Sequence, residues 1–137
     1  MDKAYQLVEK MQQGTNIALI TDAGTPGISD PGEDLVRICY EQGIEVTSLP
    51  GAAACITALT LSGLPTRRFS FEAFLPKEKK ERAAVLEELK NDTRTLIVYE
   101  APHHLLGTLK ELQNALGDRR LTVCRELTKK FETAFQT

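Results

Sequence analysis

The 137-residue sequence has no tryptophan, two histidines and three cysteines. Cys39, Cys55 and Cys124 are odd in number and far apart, with no C-x-x-C pair, and His103 and His104 are neighbours. A disulfide framework and a structural zinc are both disfavoured, which suits a reducing compartment. Long hydrophobic runs are missing too. The most apolar stretch, Ala52 to Leu61, is too short and too interrupted by threonine to span a bilayer. The N-terminal MDKAYQLVEKMQQG is charged and amphipathic, unlike the basic stub and apolar run of a signal peptide. Nor does one sign of charge dominate. Seventeen Lys and Arg against nineteen Asp and Glu leave −2, so no global basic field draws the chain to nucleic acid or anionic lipid. Any such contact has to be local. Together these absences predict a cytoplasmic chain with no metal and no membrane partner.

What remains is a globular composition, 42% hydrophobic and 26% charged, sufficient for a real core. Tyr5, Leu7, Val8 and Met11 recur at helical spacing before Gly14. Asn16 to Thr21 reads as a buried parallel strand and runs into the glycine-rich Asp22–Gly32. A helix from Glu33 to Gly43, a strand from Ile44 to Leu49, a Pro50-Gly51 turn and a helix over Ala52–Ser62 follow. Leu64–Arg68 has turn chemistry and predicts a linker, dividing the chain into domains 1–66 and 67–137. Beyond it the pattern predicts a strand at Phe69–Leu75, a charged helix at Lys77–Lys90 and a strand at Thr95–Tyr99. A helix at Pro102–Leu116, a strand at Leu121–Cys124 and a helix at Glu126–Phe135 complete it. Such alternation predicts two small α/β domains with mainly parallel sheets.

In open α/β sheets, ligands sit where strands end and helices begin, because free backbone N–H groups and helix dipoles collect there. Two loops qualify. Asp22–Gly32 carries three glycines, at 24, 27 and 32, and prolines at 26 and 31, so bare backbone can approach a ligand, although a long structural turn explains the composition equally well. It matches neither G-x-x-x-x-G-K-[ST] nor G-x-G-x-x-G, which counts against a nucleoside triphosphatase and a common dinucleotide site. Asp22 and Asp30 suit a ligand bearing amines, hydroxyls or a positive sulfur better than a polyphosphate. The second loop, Leu49–Ala54, opens a helix with the smallest side chains available and admits a flat, partly apolar group; tight helix packing is its plainer reading. Glu100 at the end of a strand would face a cleft. Lys77, Lys79, Lys80, Arg82, Arg67 and Arg68 form the one local basic concentration, interleaved with glutamates that equally suit a solvated helix.

The stretches ITDAGTPGISDPGEDLVR, LPGAAACITALTLSGLP, FEAFLPKEKKER, RTLIVYEAPHHLL and CRELTKKFE, taken in order, span nearly all of residues 15–133. In these stretches the chain resembles the tetrapyrrole methylase superfamily of S-adenosylmethionine-dependent methyltransferases. More narrowly it resembles the branch that 2′-O-methylates a cytidine of small-subunit ribosomal RNA. The resemblance implies two α/β domains, S-adenosylmethionine as cofactor, ribosomal RNA as partner, and a homodimer. It implies cofactor contacts at Gly24, Thr25, Pro26, Ala52, Ala53, Ala54, Ala101, Leu127 and Thr128. Lys77, Lys79 and Lys80, with Lys129, would meet RNA phosphates. Glu126, Lys129 and Glu100 are candidates for the base or hydroxyl-orienting roles, each with a helix cap or ion pair as its alternative. The family's first strand would precede Met1 and the end of its second domain would follow Thr137, leaving both domains incomplete. His104 stands where the family shows arginine. A corrin or porphyrin methylase of the same superfamily, and a non-catalytic binding or assembly fragment, are the competing expectations.

Overall fold

The structure, a computed structural model, describes residues 2–137 and forms two compact units that divide between Ala53 and Ala54. In the first, helix α1 (Asp2–Gln12) packs on helix α2 (Glu33–Glu41). Val8, Ile38 and Cys39 form its buried core, ringed by Ala4, Met11, Leu35 and Ile44. Helical spacing puts Ala4, Val8 and Met11 of α1 and Leu35, Ile38 and Cys39 of α2 on facing stripes, and Ile44 joins them from the chain beyond α2. Glu33 and Asp34 occupy the first turn of α2, where its dipole favours acid, and on the exposed side Arg37 bridges Asp34 at 3.3 Å and Glu41 at 2.8 Å.

The strands expected at Asn16–Thr21 and Ile44–Leu49 do not form: both runs lack strand pairing among the described residues. Ile20 is 83% and Leu49 81% exposed. Apolar patterning selects residues suited to a buried strand, but a strand exists only through ladder hydrogen bonds to neighbours. Here the runs serve as irregular connectors into the loops that follow them.

The second unit runs through α3 (Ala54–Leu61), β1 (Phe69–Phe74), α4 (Lys79–Leu89), β2 (Thr95–Tyr99), a single 3-10 turn (Pro102–His104), α5 (Leu105–Leu116), β3 (Thr122–Arg125) and β4 (Thr133–Gln136). Strands β1 and β2 pair in parallel, from Phe69 opposite Thr95 to Phe74 opposite Tyr99, with α4 as the crossover. This is the expected α/β class with a parallel sheet. Register slips between Phe71 and Ala73, and Ala73 takes the left-handed conformation at φ 53° that such a bulge requires. Tyr99 packs edge-on against Phe71 and Phe74, with ring centroids 5.0 and 5.8 Å away. Burial raises the Tyr99 phenol above its ordinary value, and Cys55 beside it adds to that. Leu64–Arg68 lies inside this unit, held where the Thr95 hydroxyl donates to the Pro65 carbonyl at 2.6 Å. The compact units and the expected domains thus divide at different places.

A second expected element changes class. Glu126–Phe135 is not a helix: it is a turn followed by β4, which pairs antiparallel with β3 from Thr122 opposite Gln136 to Arg125 opposite Thr133. Glu126 and Thr128 sit at φ 53° and 64°, outside the right-handed helical region. The aromatic and β-branched residues Phe131, Thr133, Phe135 and Thr137 alternate with period two, a strand signal that the neighbouring charges masked.

Among the described residues, Ile38 is the one large side chain fully enclosed. Ile38→Ala is expected to lower the unfolding free energy by roughly 2–5 kcal/mol, read by urea denaturation. A loss below about 1 kcal/mol would show that α1 and α2 do not close a core.

Candidate functional site

In the first unit the two small-residue loops come together. The Thr25 N–H donates to the Ala52 carbonyl at 2.9 Å, and the Thr25 hydroxyl donates to the same oxygen at 3.1 Å. Contact at this range needs bare backbone on both sides. A Cβ on Gly24, whose φ is 78°, would stand 3.0 Å from the Ala52 oxygen, and one on Gly51 would stand 3.1 Å from the Thr25 hydroxyl oxygen. Thr21 folds the start of the loop by donating its hydroxyl to the Ala23 carbonyl at 2.9 Å. Gly24, Thr25, Pro26 and Ala52 are therefore one structural feature, with Ala53 next in chain. Ala54 opens α3 in the second unit.

Beside this junction lies an open concavity of about 430 Å³ lined by Leu19, Thr21, Asp22, Asp30 and Pro31 among others. Its two carboxylates, apolar leucine and hydroxyl suit a ligand that carries positive charge on an apolar frame. Gly27 faces open space, since a Cβ there would meet nothing within 4 Å. The chemistry of these donors thus fits a sulfonium bearing an amino group.

In the second unit, β2 delivers Glu100 and Ala101 to a strand end. The Ala101 N–H donates to Glu100 Oε1 at 2.7 Å, and the Thr108 hydroxyl, from α5, donates to Oε2 at 2.6 Å. The Thr108 hydroxyl, then the Ala101 N–H and the nearby His104 and Arg82, hold the Glu100 carboxyl below the usual glutamate range against partial burial. Thr108 is itself buried, and Arg82 of α4 donates to its oxygen at 2.9 Å. Arg82 also ion-pairs with Glu111 and donates to the Pro76 carbonyl at 3.3 Å. This places Arg82 in an internal network, apart from the solvent-facing lysines with which its charge groups it in sequence. Thr108 carries no obvious mark in sequence except its place on the apolar stripe of α5, with Leu105, Leu109 and Leu112.

Glu126, Leu127, Thr128 and Lys129 share the turn between β3 and β4. The Lys129 ammonium lies 3.6 Å from a Glu126 carboxylate oxygen, and both side chains are exposed. The Thr128 N–H donates to Glu132 Oε1 at 2.8 Å, and the Lys129 N–H donates to the Glu126 carbonyl at 3.1 Å, closing the left-handed turn. No hydrogen bond or ion pair among the described residues links this turn to Glu100.

Lys77, Lys79 and Lys80 are exposed at the start of α4. Glu78 between them caps the helix, accepting from the Lys80 and Glu81 N–H groups at 3.0 and 2.8 Å, which lowers its carboxyl pKa. With Glu78 spent on the helix end, the lysine charges point outward with a partly engaged counter-charge.

The sequence matches the family described as Tetrapyrrole (Corrin/Porphyrin) Methylases over residues 2–137. It is similar to proteins named Ribosomal RNA small subunit methyltransferase I. The Haemophilus influenzae relative is 55% identical over 133 residues, covering 96% of this chain and 47% of the relative. The Synechocystis sp. relative is 55% identical over 131 residues, covering 95% and 47%. The Escherichia coli O157:H7 relative is 52% identical over 132 residues, covering 96% and 46%. The chain therefore spans about half the length of the curated relatives it matches.

The glycine contacts predict a contrast. Gly24→Ala should cost about 1–2 kcal/mol and speed deuterium exchange at the Thr25 amide, because its methyl meets the Ala52 oxygen. Gly27→Ala carries similar backbone strain at φ 85° without that contact, and should leave the Thr25 amide protected. Equal exchange in the two variants would refute the junction.

Proposed function

The chain belongs to the tetrapyrrole (corrin/porphyrin) methylase family, and from that membership we propose that the whole protein is a methyltransferase that 2′-O-methylates a cytidine of small-subunit ribosomal RNA. The observation that carries the reading is the junction of Thr25 with Ala52, which builds a bare-backbone turn beside Asp22 and Asp30. The names of the relatives support the RNA substrate. Assembly as a homodimer, a cytoplasmic location and a domain boundary at 66/67 belong to the same proposal.

S-adenosylmethionine, the donor of this family, supplies when bound an electrophilic methyl group on a sulfonium. In the first unit, Gly24, Thr25 and Pro26 receive its methionine portion, with Ala52 and Ala53 near the donor, where the bare main chain offers polar groups and the carboxylates favour positive charge. Ala54, next to Ala53 in the chain, likewise lies near the donor, and Ala101, Leu127 and Thr128 are read as contacts of its adenosine portion. Rigid placement matters most, since methyl transfer to a hydroxyl depends on holding the reacting atoms in line at about 3 Å.

The acceptor hydroxyl also loses a proton, and here the two glutamates differ. Glu100, held below the ordinary range with both oxygens engaged, is a poor base and a good hydrogen-bond acceptor, so it orients a ribose hydroxyl, and with Ala101 it belongs to the segment read as closing on the donor's adenosine portion. Glu126, exposed beside Lys129, is free to accept the proton, and Lys129 orients the hydroxyl or meets a phosphate. Lys77, Lys79 and Lys80 bind the RNA backbone.

Two measurements on the protein in its full natural length test this. With tritiated S-adenosylmethionine, label should enter small ribosomal subunits and no tetrapyrrole; label in the tetrapyrrole alone would overturn the RNA assignment. Replacing Lys77, Lys79 and Lys80 together by alanine should weaken RNA binding by about tenfold or more and flatten its salt dependence, with cofactor affinity unchanged. Equal loss of both affinities would remove these lysines from the RNA surface.

A further inference from the structure

Arg82 and Thr108 have no place in the function as proposed, yet they make the densest polar network in the second unit. Thr108 is 4% exposed in the interior of α5, and its single hydroxyl does two jobs: it donates to Glu100 Oε2 at 2.6 Å and accepts from Arg82 at 2.9 Å. Arg82 reaches that oxygen from α4 while donating to the Pro76 carbonyl and pairing with Glu111 of α5. Three elements, α4, α5 and the end of β2, thus meet on one oxygen atom. A solvated basic residue would not be held by three separate partners, and a buried helix threonine needs only its own i−4 carbonyl to be satisfied. Thr108 spends its hydroxyl proton on the carboxylate at the strand end, and Arg82 acts on that carboxylate through the Thr108 oxygen.

We propose that Thr108 and Arg82 are positioning residues that fix the orientation of the Glu100 carboxylate, and through it the Glu100–His104 segment, for binding of the adenosine portion of the methyl donor. The proposal rests on the donor-binding reading above. With Oε1 committed to the Ala101 N–H and Oε2 to the Thr108 hydroxyl, the carboxylate has one rotamer, and the remaining lone pair on each oxygen keeps a fixed direction. A ribose hydroxyl donating to such a lone pair meets an acceptor whose ordering entropy is already spent. Arg82 orders the threonine in turn: by donating to the hydroxyl oxygen it leaves the hydroxyl proton to point at Glu100.

The charged groups facing Glu100 are Arg82 from α4, with Glu111 of α5 beyond it, and His104 from the 3-10 turn. The first cause holding the carboxyl low is the Thr108 hydroxyl. The depressed carboxyl is the ionised partner of the ligand, so affinity should persist into acid and fall only as pH drops below the usual carboxylate range. Removing the hydroxyl lets the carboxyl rise, so affinity should fall at a higher pH.

The test is calorimetric titration of the full-length protein with S-adenosylhomocysteine between pH 4 and pH 8, beside thermal melting. Thr108→Val should weaken binding about tenfold and move the acid fall-off upward, while Thr108→Ser restores both to near wild type. Arg82→Lys, which keeps the charge but lacks the planar fork that spans the Glu111, Pro76 and Thr108 oxygens, should also weaken binding, and it decides the matter if Thr108→Val does not fold. Variants that melt earlier yet bind with the wild-type affinity and pH profile would reduce the network to a structural brace and overturn the proposal. A wild-type protein that does not bind the probe would instead remove the donor-binding reading, and this inference with it.

Discussion

A single carbonyl oxygen, that of Ala52, organises the first unit's functional end. It accepts both the backbone N–H and the side-chain hydroxyl of Thr25, residues 27 apart in sequence. A carbonyl has two lone pairs, and spending both on one residue fixes distance and direction together. The neighbouring glycines follow from this. With the chains so close, Gly24 and Gly51 have no room for a Cβ without displacing the oxygen or the threonine. The loop composition, which by itself reads equally well as a long turn, becomes a requirement once that contact is made.

The second unit uses the opposite device. It places its candidate groups through charged side chains spent on backbone: Glu78 on the start of α4, Glu100 on the Ala101 N–H, and Glu132 on the Thr128 N–H. Each bond holds a segment that regular hydrogen bonding leaves unsupported, the first a helix end and the last a left-handed turn. Charge-assisted bonds of this kind are about twice as strong as neutral ones, and they suit short loops with few other contacts. At Glu78 and Glu100 the engaged carboxylate is held below its ordinary range by the N–H and hydroxyl donors it accepts from.

How much of this was legible in the sequence depends on the range of the interaction concerned. Helices α1, α2, α4 and α5, and strands β1 and β2, follow from local period and from glycine and proline punctuation, and the structure forms them. The apolar runs at Asn16–Thr21 and Ile44–Leu49 carry strand-like patterning without becoming strands, because pairing depends on neighbours that no local pattern supplies. Glu126–Phe135 fails for a different reason: its charges suggest a solvated helix, while the pairing of Thr133–Gln136 with β3 is decided across the turn. At the site, Thr25 and Ala52 could each be singled out by composition, but their contact could not. Arg82 and Thr108 were hidden because an arginine in a basic cluster and a threonine on an apolar helix stripe look the same whether or not they share a partner.

That last ambiguity bears on how catalytic groups are chosen from sequence. Glu100, Glu126 and Lys129 were equivalent candidates as residue types near strand ends. Geometry ranks them by what their polar atoms already do. Glu100 has both oxygens occupied by donors from its own unit, and taking up a proton would cost it those bonds. Glu126 faces only Lys129, across 3.6 Å and in solvent, where an ion pair contributes little and breaks readily. The turn holding Glu126 is itself in the left-handed region and is closed by the Lys129 N–H on the Glu126 carbonyl and the Thr128 N–H on Glu132. Between two glutamates just past strand ends, the proposed base is the one whose carboxylate accepts no hydrogen bond from backbone or hydroxyl donors among the described residues.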